Sequence, residues 1–370
     1  MATKQNNSAT SPDLDGQSTP PVRYVFSQGF AALLEQSGAS LVVTTYQAGK
    51  LMAVRARGGK VSTLLRSFER PMGFALGRDQ LALGTRNAIW FLHNAADIAP
   101  QLDPPNSHDA CYAPRKSHIT GDILGHEMAW GKSSANVVAS VNDELWVVNT
   151  RFSCLCTLDD RYSFVPRWKP WFVTQLAAED RCHLNGLAMV EGKPKYVTAL
   201  GMANEARGWK AEKAHGGILL DVEADEIVAR GFSMPHSPRW YAGRLWVLSS
   251  GEGELQIVEP NSGRRETVVR LPGYTRGLSF HAQYAFVGLS RIREKEEFGG
   301  LPIESSVDVL QCGIWVVDLQ RGVAVEFMAF ETGCEEIFAV EVLPDARWPA
   351  IIGFKQETIN GIFVIPPEKA

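Results

Sequence analysis

Polar clusters that run into short apolar strands punctuate this chain. The clearest is Arg181-Cys182-His183-Leu184-Asn185-Gly186-Leu187-Ala188-Met189. The same cadence returns at Arg70-Pro71-Met72-Gly73-Phe74-Ala75, Gly125-His126-Glu127-Met128-Ala129-Trp130, Pro235-His236-Ser237-Pro238-Arg239-Trp240, Tyr274-Thr275-Arg276-Gly277-Leu278-Ser279-Phe280 and Glu335-Glu336-Ile337-Phe338-Ala339-Val340. The strands so marked open at 73, 127, 186, 237, 277 and 338, at intervals of 40 to 61 residues. After most of them come a turn signal and a β-rich run, at 80–84, 144–149, 195–200, 244–249 and 283–289. Two-residue alternation bounded by Gly, Asp and Asn describes these segments, and no helical period does. A four-stranded propeller blade takes about 40 to 50 residues and loops lengthen it, so the pattern predicts an all-β, six-bladed β-propeller.

The two ends of the chain complete the picture. Runs at 41–46, 51–55 and 61–66 align in order with 244–249, 254–258 and 266–271, the last three strands of the blade that begins at Ser237. They read as a blade without its inner strand, which the C-terminal run 337–342 can supply, so that strands from both termini close the ring and remove its open edges. Runs at 350–354 and 361–365 are left over, and a seven-bladed ring is the alternative if they build a blade of their own. Residues 1–22 are polar and Pro-rich and read as a disordered tail, leaving 23–370 as a single propeller domain. Phe30, Leu33 and Leu34 have helical spacing and predict a short helix over 27–36. The irregular segment 93–125, with His108, Asp109, Arg115, His118 and Asp122, is expected to fold over the mouth. A second loop, 201–217, carries Asn204, Arg207 and Trp209. A third, 291–312, opens with the charge run Arg291-Ile292-Arg293-Glu294-Lys295-Glu296-Glu297, read as solvated surface.

Propeller geometry turns this pattern into chemistry, because the inner strand of every blade runs along the central channel and its leading loop points at one shared mouth. Three histidines, His126, His183 and His236, hold the same place in different blades. Neutral imidazoles facing one axis can ligate iron, zinc, manganese or copper, with Glu336 and Asn185 completing the set. With oxygen ligands from Asn185, Glu127 and Glu336 the ion would instead be calcium or magnesium. Arg70, Arg239 and Arg276 suit the anionic group of a substrate, and Glu127, Arg239 and Arg276 are the candidate catalytic residues, Glu127 as base. The expected function is a metal-dependent enzyme acting on a small polar or anionic substrate, by hydrolytic, lyase-like or oxidative chemistry. The alternatives are a non-catalytic scaffold that binds a peptide, glycan or partner protein, and a non-heme iron oxygenase.

Composition narrows the classes. The 370 residues are 45% hydrophobic and 21% charged, an ordinary globular balance, and a net charge of −4 gives no basis for nucleic acid or an anionic membrane as partner. Neither an apolar leader at the start nor a membrane-length apolar run is present, and the expectation is a cytoplasmic protein. Six cysteines in a chain of this length make no disulfide framework, and Cys154-Leu155-Cys156 has the wrong spacing for zinc, so these two are expected to be reduced core thiols. Gly-x-Ser-x-Gly, phosphate-cradling loops and dinucleotide fingerprints are absent.

Several strings taken together resemble an uncharacterised bacterial family catalogued as a domain of unknown function. They are Thr44-Thr45-Tyr46-Gln47-Ala48-Gly49-Lys50-Leu51, Arg70-Pro71-Met72-Gly73, Thr120-Gly121-Asp122, His126-Glu127-Met128-Ala129, Asn149-Thr150-Arg151-Phe152-Ser153-Cys154-Leu155, His183-Leu184-Asn185-Gly186-Leu187-Ala188, Pro235-His236-Ser237-Pro238-Arg239-Trp240 and Pro272-Gly273-Tyr274-Thr275-Arg276-Gly277. The resemblance covers about residues 24–355 and implies the architecture but no reaction. The link 131–139 is longer than that family's usual one. Asn185-Gly186-Leu187-Ala188 also resembles the strand opening of gluconolactonase and regucalcin type six-bladed propellers, where an asparagine helps to hold a divalent cation. An all-histidine iron centre on a propeller resembles the carotenoid-cleaving oxygenases at the level of the fold, without their motifs.

Overall fold

The computed structural model describes residues 2–5, 21–132, 144–291, 299–354 and 357–366. Its strands form six sheets, and their inner strands touch in a closed cycle around one axis, which makes the molecule a six-bladed β-propeller. The first blade joins both ends of the chain: Ala339–Leu343 is its inner strand and pairs antiparallel with Ser40–Thr45, followed by Lys50–Arg57 and Lys60–Ser67. The next four blades begin at Phe74–Leu76, Gly125–Gly131, Leu184–Val190 and Pro235–Tyr241, and the sixth at Tyr274–His281.

Neither leftover run makes a seventh blade. Pro349–Ile351 adds to the outer edge of the second blade, parallel to Ala110–Ile119, and Glu357–Gly361 is a 3-10 turn. The added strand serves a physical need, since it covers backbone donors and acceptors of an outer strand. Ala2–Gln5, read as part of a disordered tail, is a strand paired with Arg23–Ser27, itself the fifth strand of the sixth blade. The link at 133–139 and the charge run at 292–297 lie outside the described residues. The predicted helix is Phe30–Ser37, with Phe30, Ala31 and Leu34 packed into the apolar seam between the first and sixth blades. Similar seams fill the space between other neighbouring blades, for example Leu184, Leu187 and Val197 with Val148 and Leu155. All six cysteines are free and buried. Among the described residues, no helix is long and apolar enough to cross a membrane.

Close approach at the axis explains the small residue that opens several blades. A Cβ on Gly73 would stand 2.5 Å from the carbonyl oxygen of His126 in the neighbouring blade. Gly277 lies in the left-handed region (φ 80°), and a Cβ there would be 2.6 Å from the backbone nitrogen of Val340. Glycine therefore lets adjoining inner strands pass at backbone distance.

Below the mouth the channel is closed by charge. The Arg239 guanidinium, in the fifth blade, donates from Nη1 to Glu127 of the third and from Nη2 to Glu341 of the first at 3.1 Å. Glu127 also accepts the backbone N–H of Leu187 in the fourth blade at 3.2 Å, and Glu341 accepts the Ser279 hydroxyl of the sixth at 2.8 Å. Five blades are thus tied through one buried cluster. Burial pushes both carboxyls above their ordinary value of 4.5, with Arg239 pulling the other way.

Two outcomes are expected. Gly277→Ala costs about 2–4 kcal/mol of stability because backbone atoms have nowhere to retreat. Gly58→Ala, which shares the left-handed backbone but meets nothing within 4 Å, costs only about 1–2 kcal/mol. Urea unfolding midpoints measure the difference, and equal losses contradict the crowding account. Arg239→Gln leaves two buried carboxylates without a counter-charge, at a cost of about 3–5 kcal/mol near neutral pH. Raised folded-state carboxyl values mean that the native state holds these protons more tightly than the unfolded chain, so their contribution falls as pH rises from about 4.5 through the folded values. Losing the opposing guanidinium steepens that slope, and the deficit of the variant is smaller at about pH 5 than at about pH 8. The same deficit at both pH values rules the cluster out as a charge-compensated unit.

Candidate functional site

Above this cluster the mouth opens into a cavity of about 590 Å³. Four of the six polar clusters reach it through an irregular strand opening. The ladder slips between Gly125 and Met128, Leu184 and Gly186, His236 and Arg239, and Thr275 and Leu278, a bulge at the first turn of four inner strands. Such a bulge re-aims side chains that regular alternation would send to opposite faces. His183 and Ser237 have left-handed backbones, with φ of 50° and 48°.

His126, His183 and His236 all line the cavity, as the sequence pattern requires of equivalent positions in successive blades. Two of them touch, with the Nε2 atoms of His126 and His183 facing at 3.2 Å. The other nitrogen of each ring is already committed. Nδ1 of His183 lies 2.9 Å from the Asp180 carboxylate, which also accepts the Trp209 indole N–H at 3.2 Å while Trp209 packs on the His183 ring. Nδ1 of His126 lies 3.0 Å from the Leu124 carbonyl and 2.8 Å from the Thr150 hydroxyl. Thr150 donates its own hydrogen to the Leu184 carbonyl, so Nδ1 of His126 is the donor in its contacts. With both Nδ1–H groups donating, two neutral rings would set Nε2 lone pairs against each other, a repulsion that a shared cation would remove.

Burial holds His126 well below the ordinary histidine value, and His183 and Arg276 add to the effect. His236 is 5% exposed and is lowered by burial and then by Arg276 and His183. Neutral imidazole is therefore the ground state of both.

The remaining predicted site residues have other duties. Glu127 and Arg239 sit in the axial cluster beneath the cavity, where both oxygens of Glu127 are engaged, so neither is presented to the mouth as base or anion receptor. Arg276 does line the cavity, but its guanidinium stacks 3.6 Å from the Phe338 ring and pairs with Glu336 at 3.2 Å. Glu336 reaches the cavity in that pair, whereas Asn185 is buried with its carbonyl oxygen accepting from Thr198 at 2.7 Å. Among the described residues, no three His, Cys, Asp or Glu side chains converge as metal ligands, so the five-residue set His126, His183, His236, Glu336 and Asn185 is not assembled. What remains of it is the facing pair, whose tethered Nδ1 atoms are the outer support that metal-bound imidazoles have. Arg70 is exposed, lies over the Tyr46 ring and does not line the cavity.

Segment 93–125 does not fold over the mouth as expected; only its end reaches the cavity, through Leu124. Residues 88–94 run away from the mouth, so the loop that follows lies on the far face, and much of the rest is the strand Ala110–Ile119. His108 contacts the Trp348 carbonyl, Asp109 accepts backbone N–H groups of Arg347 and Trp348, and His118 contacts the Ser163 carbonyl. Asp122 is an ion-pair partner of Arg151 at 2.8 Å. The second loop does reach the mouth, through Ala206, Arg207 and the Trp209 that supports His183. Arg291, read as the start of a solvated charge run, lines the cavity, as do Arg151 and Asp180. Asp180 carried one usable sequence signal, its place three residues ahead of His183.

Residues 28–352 match the family described as a domain of unknown function, DUF4915. No curated protein matches the chain. Among solved structures, the crystal structure of a nidogen/laminin complex is similar over 83% of this chain and 99% of that one, at 9% identity and a TM-score of 0.53. A protein of unknown function from Bacteroides caccae is similar over 82% and 98%, at 9% identity and a TM-score of 0.47. The first likeness is one of fold alone, and it agrees with the six sheets around one axis. With the family match running from the first helix to the strand that caps the second blade, the chain belongs to the DUF4915 family of β-propellers.

Proposed function

We propose that the mouth cavity is the active site of an enzyme that moves a proton to or from a small anionic molecule, in a hydrolytic or lyase-like reaction. The observation that carries this reading is the facing Nε2 pair with both Nδ1 atoms tethered. His183, oriented and compensated by Asp180, is placed to give a proton, and His126, held neutral by burial, is placed to take one. Such a couple passes a proton between the rings or to a substrate atom that enters beside them. Arg151, Arg207, Arg276 and Arg291 outnumber the Glu179, Asp180 and Glu336 carboxylates that line the same space, a balance that favours an anion there. Phe338 and Tyr46, stacked at 5.7 Å, supply a flat apolar wall for the rest of the molecule.

A second reading rests on the same contact. A separation of 3.2 Å suits two imidazoles that would together hold a divalent iron, zinc, manganese or copper ion at the wall of the cavity. Bound there, the ion would polarise an oxygen of the substrate or of water. In that case Asp180 and the Leu124 carbonyl keep the two rings aimed, and His236 closes the wall beside them.

Nitrogen-15 spectra of histidine-labelled protein are expected to show His126 protonated at Nδ1 alone and a second proton shared with His183. A His126 ring protonated at Nε2, in metal-free protein, removes the basis of both readings. Elemental analysis divides them: near-stoichiometric metal that is lost in both His126→Asn and His183→Asn supports the ion, and metal-free protein supports the proton. Once a turnover assay with small carboxylates or phosphate esters is in hand, His183→Asn and Asp180→Asn each lower turnover about a hundredfold or more, with the fold retained. Full activity in both variants contradicts a catalytic role for the pair.

A further inference from the structure

Beside the mouth, the rim between the third and fourth blades carries large apolar side chains in the open. Trp171 is 54% exposed, Leu176 42% and Met202 48%. They stand on two loops that are fixed to each other. Asn204 accepts the backbone N–H of Thr174 and a guanidinium N–H of Arg181, both at 2.9 Å, and Arg207 donates its backbone N–H to the Glu179 carbonyl at 3.0 Å. The turn under Trp171 is closed by the Val173 N–H bonding the Pro170 carbonyl, with Val173 fully buried beneath it. The backbone turn that carries the exposed Trp171 is therefore pinned by a hydrogen bond and a buried side chain. Single exposed apolar residues are ordinary, but three on neighbouring tethered loops are not. The same loops run directly into the cavity, since Ala178 and Ala206, two and four residues beyond Leu176 and Met202, form part of its wall.

We infer that the substrate is a soluble linear amphiphile, with an anionic head in the cavity and an alkyl chain of medium length lying out across Trp171, Leu176 and Met202. The inference rests on the anion-binding reading of the mouth and adds the tail to it. Charge and apolarity divide along one path. Guanidinium groups line the inside in excess over the Glu179, Asp180 and Glu336 carboxylates, Ala178 and Ala206 reach the wall from the two loops, and Trp171, Leu176 and Met202 stand exposed further out on those loops. A compact anion has no use for the outer part, and a neutral chain has none for the inner. An unbranched molecule carrying both features matches the whole path, and its tail would shield the apolar rim from water.

The test uses the intact chain with butyrate and decanoate, which share a carboxylate and differ only in chain length. Decanoate is expected to bind roughly tenfold to a hundredfold more tightly, the effect of partly shielding several methylenes, and to shift Trp171 emission to the blue. In the triple variant Trp171→Ser, Leu176→Ser, Met202→Ser, decanoate binding falls to the butyrate level and butyrate binding is unchanged. Equal affinity for the two probes overturns the tail while leaving the anion site standing, as does a decanoate advantage that survives the triple substitution. If neither probe nor phenyl phosphate binds, the anion-binding reading itself fails and the tail falls with it. A triple variant that changes from dimer to monomer in sedimentation, with unaltered ligand binding, assigns the patch to contact between copies and also overturns the proposal.

Discussion

Crowding at one axis is the constraint on which this structure depends. Six inner strands converge there closely enough that backbone meets backbone at Gly73 and Gly277, and four side chains and one backbone N–H from five blades are linked in the cluster around Arg239. A water-filled channel would leave those strand ends loosely held. A buried guanidinium shared by two carboxylates closes it instead, and each removed partner would leave an uncompensated charge in a low-dielectric interior. The closure gives the mouth a floor, and the groups around it are set by the ring itself.

On that floor, chemistry is separated by depth. The lower layer, Glu127, Arg239 and Glu341, is saturated with its own ion pairs. The upper layer contains His126 and His183, whose outer nitrogens are tethered and whose inner nitrogens face each other. Rigid tethering from behind and an unsatisfied contact in front are what a catalytic group needs, because orientation is fixed before a substrate arrives. Trp209 adds a third constraint by packing on His183 and bonding to Asp180, which links the loop after the second strand of the fourth blade to the geometry of the pair.

Much of this was legible in the chain. Blade count, closure by strands from both ends and the common placement of His126, His183 and His236 follow from a repeat of polar cluster and strand, because propeller topology makes equivalent positions neighbours. Depth was not legible: His126 and Glu127 are adjacent in sequence, yet the bulge at that strand opening puts one in the mouth and the other in the cluster beneath. The side of the ring taken by each loop was misread where Ala110–Ile119, with its Pro114 and three charges or imidazoles, did not look like a strand; counting it reverses the direction of the loop that carries His108. Arg291 was hidden by the charge run it begins, although its place after a strand that returns to the mouth sets where it goes. The pairing of Ala2–Gln5 had no periodic signal, since four residues are too few to set a two-residue alternation apart.

The most direct measurement is an experimental structure of the purified protein, by neutron diffraction or at X-ray resolution fine enough to show hydrogen and anomalous scattering. It should place the Nε2 atoms of His126 and His183 face to face on the cavity side of the axial cluster, with a proton or a metal ion between them. Imidazoles turned away from each other, or separated by a ring of neutral water with nothing shared, would contradict the account.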